Sequence, residues 1–100
     1  MREYQAVVRV RHQGRDLSKS LDALDAVTGA LLDYGATAQL GDGWTEWTMT
    51  VRVPTLYDVA ATAGRAVRDA YERASWGSTL VRVDAWQVAE WEHARGLTEE

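Results

Sequence analysis

The order in which two hydrophobic periods alternate along the chain limits its fold more than any single residue does. Residues 3–12 alternate, with Tyr4, Ala6, Val8 and Val10 on one side and Gln5, Val7, Arg9 and Arg11 on the other. A period of two is that of a strand with one buried face. Across residues 17–34 the period lengthens. Leu17, Leu21, Leu24, Val27, Leu31 and Tyr34 follow at steps of three and four, which is one stripe of a helix. Ala36, Ala38 and Leu40 return to alternation, as do Trp47, Met49, Val51 and Val53 against Glu46, Thr48, Thr50 and Arg52. A second helical stripe holds Val59, Ala63, Ala66, Val67 and Ala70, with Leu56 and Ala74 at its ends. Leu80–Trp86 is the last strand, and Val81, Val83 and Ala85 are its expected inward set.

Turn chemistry separates these stretches. His12-Gln13-Gly14-Arg15 reads as a turn, and Asp16, Ser18 and Ser20 are each candidates for the first helix cap. Gly35 fits the left-handed position after a helix. Gly41-Asp42-Gly43 is a hairpin signal. Pro54 removes a ladder donor and stops the third strand. Thr55-Leu56-Tyr57-Asp58 resembles a capping box with Asp in place of Glu, and Gly77 is the expected stop of the second helix. Residues 87–95 carry a helical pattern ended by Gly96, and the last residues are expected to fray.

The order β-α-β-β-α-β with a tight second hairpin resembles the ferredoxin-like, split βαβ architecture over residues 3–86. That resemblance implies an α+β sandwich. Its sheet would be antiparallel in the order 4-1-3-2, with two helices on one face and a short C-terminal helical segment in 87–100. The run Val81-Arg82-Val83-Asp84 followed by a polar, acidic helix is similar to small proteins of actinobacteria and their phages. A coding bias agrees with a GC-rich source: the chain has no Ile, Phe or Asn, and Lys19 stands alone against ten arginines.

Composition removes several function classes. A chain of 100 residues suits one domain. Without cysteine there is no disulfide, thiolate metal site or cysteine nucleophile. No apolar run approaches the ~20 residues of a membrane span, and the start carries no signal-peptide pattern, so a cytoplasmic protein with no membrane partner is expected. A net charge of −4 disfavours nucleic acid as a partner for the whole surface.

Two surfaces remain as candidates. The first is the sheet face without helices, carrying Val7, Arg9, Arg52, Leu80, Arg82, Asp84 and Trp86, with Trp91 from the tail. An exposed sheet holding Val7, Leu80 and Trp86 gains from being covered, and two-fold dimers are the commonest oligomers. The leading expectation is therefore a small non-enzymatic interaction or regulatory module that self-associates through its sheet, or holds a protein partner there. Weak RNA or DNA binding through the arginines is a further alternative, but the central strands lack the aromatic stacking platform of RNA-recognition folds.

The second surface is the turn from the first strand into the first helix. Arg11, His12, Gly14 and Arg15 stand there beside a helix N-terminus, with Trp44 and Trp76 as an apolar wall. It is the expected site for a small anion, as in regulatory domains of the ACT type. No catalytic residue, metal site or cofactor is assigned. His12 and His93 are the only histidines. Glu90 and His93 form one Glu-x-x-His pair, too few groups for a metal shell, and the serines lack a base. Enzymatic activity is the less favoured outcome, because the expected inner face holds Ala, Val, Leu, Met and Trp.

Overall fold

The computed structural model describes residues 2–12 and 17–88. In it, β1 (Arg2–His12), β2 (Thr37–Gly41), β3 (Trp44–Val53) and β4 (Ser78–Gln87) form one antiparallel sheet. The order is β2-β3-β1-β4. Two helices, α1 (Leu17–Ala30) and α2 (Tyr57–Arg73), complete the α+β domain. No helix among the described residues is long and apolar enough to cross a membrane.

The alternation of β1 and β3 is realised as read. Tyr4, Ala6, Val8 and Val10 face Val51, Met49, Trp47 and Thr45 on the helix side, and all are buried. Over them lies α2, which touches β1, β3 and β4. Its buried set is Val59, Ala63, Gly64, Val67, Ala70 and Tyr71. Small residues let its axis approach the sheet: a methyl built on Gly64 would stand 3.5 Å from Leu80 Cδ2. At the start of α2, the Asp58 carboxylate accepts the Thr55 N–H at 3.2 Å and the Thr55 hydroxyl at 2.7 Å. This is the reach-back arm of a capping box, performed by the shorter acid.

The helix layer corrects the expected ferredoxin-like sandwich. Counting the 4-1-3-2 order from the β2 edge leaves the strand neighbours unchanged, so the difference falls on the helix arrangement. α2 approaches the sheet closely, touching β1, β3 and β4, while α1 packs against α2 and enters the core through Val27. Val27 and Leu31, late in the first helical stretch, reach the core, whereas Leu21 is 61% exposed. Ala38 and Leu40 of β2 pair beside Trp47 and Thr45, yet both stay exposed because no helix covers that edge. The C-terminal helical segment, Trp91, Gly14 and Arg15 lie outside the described residues.

Two local expectations also change. Pairing of β1 with β4 slips between Arg9 and Val10: Arg9 faces Arg82, but Val10 faces Leu80, and Val81 is left without a partner. This one-residue bulge turns Leu80 onto the helix side and frees Val81, the reverse of the expected assignment. Ser75, not Gly77, ends α2. Its φ of 54° is left-handed, and Trp76 N–H reaches back to the Tyr71 carbonyl at 3.1 Å. That bond closes a Schellman-type turn and carries Trp76 back over the domain.

Candidate functional site

At the end of the sheet that holds the β2–β3 hairpin, a cavity of about 840 Å³ opens. Leu21 and Leu24 of α1, Leu40 of β2 and the bulged Val81 give it apolar walls. The Gly41–Trp44 hairpin borders it, and so do Arg9, Arg11, His12, Thr45 and Trp76. Of the expected anion site, Arg11, His12, Trp44 and Trp76 therefore meet around one space. They arrive from both faces of the sheet. Arg11 and Trp44 are cross-strand neighbours on the side away from the helices, whereas His12 continues the inward set of β1.

Two polar pairs sit in the core behind the cavity. Trp47 Nε1 donates to the Tyr71 hydroxyl at 2.8 Å. At the neighbouring inward position of β3, Thr45 Oγ1 makes a short hydrogen bond with His12 Nε2. The His12 ring stacks on Trp76, with centroids 4.1 Å apart and planes 6° apart. Tyr71 lies against both rings, 5.7 Å from His12 and 5.2 Å from Trp76. His12 Nδ1 is buried without a hydrogen-bond partner among the described residues. Burial holds the imidazole below its ordinary pKa, because a cation there loses its water. Burial also pushes the Tyr71 hydroxyl up, against a smaller opposing effect of the Trp47 N–H it accepts.

Thr45 and Tyr71 were absent from the residues singled out in the sequence, although a signal for each was there. Thr45 extends the inward alternation of Trp47, Met49 and Val51 by one step. Tyr71 stands four residues after Val67, in the 59, 63, 67 series. Both belong to residue types whose body suits a core and whose hydroxyl then requires a partner.

The other face of the sheet is closed upon itself. Arg9 donates to Glu46 at 3.1 Å, Arg52 to Glu3 at 2.9 Å, and Arg82 lies 2.9 Å from Asp84. The Arg9 guanidinium also sits 4.3 Å from the centre of the Trp44 ring. Gln5 donates to Thr50 at 2.8 Å, and Val7, expected to be exposed, is 8% exposed in its row. The arginines proposed for nucleic acid thus have carboxylate partners at Arg9, Arg52 and Arg82, while Arg11 has no ion pair among the described residues. Trp86 is half-buried opposite Gln5, and Leu80 has left this face for α2. Among the described residues no cluster of His, Asp or Glu could hold a metal. No family model matches this chain, and no curated protein matches it in sequence.

Proposed function

We propose that this domain is a binding module for a small molecule with an apolar body and an anionic end. The observation that carries this reading is the cavity beside Leu21 and Leu24 of α1. Its walls include Leu21, Leu40 and Val81, which are 61%, 59% and 48% exposed. Covering a large apolar side chain contributes roughly 1.5–3 kcal/mol when burial is complete, so an occupant is favoured by surface the fold leaves open. Arg11 on the same rim has no carboxylate partner among the described residues and suits the charged end. The volume lies within the usual span for ligand pockets.

Calorimetric titration with aromatic and medium-chain carboxylates tests the reading. Saturable binding is expected, weakened by Arg11→Gln and abolished by Leu21→Trp, which fills the space. Absence of heat and of any tryptophan fluorescence change for the whole series would overturn it.

Self-association is a second reading, and one observation favours it. β4 is an edge strand, and an antiparallel pairing with a second copy centred on Val83 sets Arg82 opposite Asp84 in both directions. Sedimentation should then show a dimer that Asp84→Arg splits and the Arg82→Asp/Asp84→Arg exchange restores. A monomer at high micromolar concentration would remove this reading.

A further inference from the structure

We infer that the cavity accepts a ligand with one negative charge and rejects a second, and that Glu46 is the residue that sets this limit. The inference rests on the ligand-binding reading above and adds the charge class of the ligand. It starts from a small patch on the sheet face away from the helices. Arg9 faces Glu46 across β1 and β3, and Arg11 faces Trp44. Side chains two apart on a strand share a face, so both arginines stand on one side, and both border the cavity. A pair of free guanidiniums there would suit a phosphate or a dicarboxylate. The geometry withdraws one of them. Arg9 Nε donates to Glu46 Oε2 at 3.1 Å, and the guanidinium lies 4.3 Å from the centre of the Trp44 ring. A carboxylate of the chain itself meets its charge, and the indole holds its position.

The Arg9 and Glu46 side chains are 40% and 27% exposed, so solvent screens them less than a pair standing free on the surface. Arg11 is different. It has no ion pair among the described residues. Asp42, at the tip of the hairpin, borders the same space and has no cationic partner among the described residues either. A singly charged ligand therefore meets one uncommitted guanidinium. A second negative charge must face Asp42 or compete with Glu46 for Arg9, and it gives up water in either case without a cation of its own. Monocarboxylates and sulfonates fit this count. Phosphate monoesters, which carry about −1.5 to −2 near neutral pH, exceed it.

Calorimetric titration with 2-naphthalenesulfonate and 2-naphthyl phosphate tests the limit. The two probes share a ring and a tetrahedral head, and at about pH 8 they differ by one charge. The parent chain should hold the sulfonate at least about fivefold tighter, the scale of one partly screened charge contact. Glu46→Gln leaves an oxygen for Arg9 Nε and removes the charge. It should tighten the phosphate more than the sulfonate and bring the two affinities level or reverse them. Asp42→Asn should narrow the gap in the same direction, and Arg11→Gln should weaken both probes. Urea midpoints of the variants confirm that each keeps its fold. Phosphate bound as tightly as sulfonate by the parent, or a ratio that Glu46→Gln leaves unchanged, would overturn the inference and leave the ligand-binding reading in place. If neither probe binds the parent or any variant, the ligand-binding reading itself fails, and the charge limit falls with it.

Discussion

Replacing Tyr71 by Phe removes one oxygen from a ring that is 2% exposed and leaves its packing intact. One neighbour loses by it: Trp47, which is 0% exposed, keeps an indole N–H with no acceptor. A buried donor left unpaired costs about 1–3 kcal/mol. The net expectation is a loss of about 2 kcal/mol, set by the tryptophan. For a domain of this size that lowers Tm by roughly 10 °C. Urea unfolding followed by tryptophan fluorescence reads it as a lower midpoint at unchanged slope, the sign that stability and not compactness has changed. A loss below about 0.5 kcal/mol would refute the Trp47–Tyr71 bond as a support of the core.

Three further expectations follow from particular residues. Stability should fall with acid in a step that begins as the pH drops below 6.5, the value of an unperturbed histidine. The folded state lowers the pKa of His12, so the unfolded chain takes up the proton first, and the step ends once the pH is below the folded value. His12→Gln should remove that step from a midpoint-against-pH series. Ser75→Gly should raise stability by about 0.5–1 kcal/mol, since glycine holds a left-handed φ of 54° without strain; an unchanged urea midpoint would count against the turn. Gly41→Ala should displace Trp44, because a methyl there would lie 2.0 Å from its Cε2. The ring would leave Arg9 at a cost of about 1 kcal/mol, visible as a shifted tryptophan emission.

The parts of the fold that sequence reveals are those where one period persists. β1 and β3 run ten residues or more with unbroken alternation, and their inward sets are buried as expected. The fold class was misdrawn where a side chain is apolar without being covered. Leu21 belongs to the helical stripe, and Leu40 to the inward side of its strand. Neither periodicity reports that these two side chains stay exposed. The Val81 bulge replaces a regular step by an extra residue, and Leu80-Val81 gives two equally apolar side chains with nothing to rank them. The end of α2 misled for a different reason. Gly77 is the residue type that favours a left-handed stop, but the chain stops two residues earlier on Ser75. In the candidate site, Arg11, His12, Trp44 and Trp76 were legible as a turn cluster. The bonds of Thr45 to His12 and of Trp47 to Tyr71 were not, because these residues pass as core residues until their polar atoms are counted.

The unpaired Val81 has one more implication. Every other position in that stretch of β4 is tied to β1, so changing its side chain disturbs a ladder neighbour. Position 81 is tied to nothing across the strand, and it contributes a wall to the cavity. Size and polarity there can drift with the sheet untouched. The domain thus holds a site where what it accommodates can be retuned almost independently of how firmly it is built.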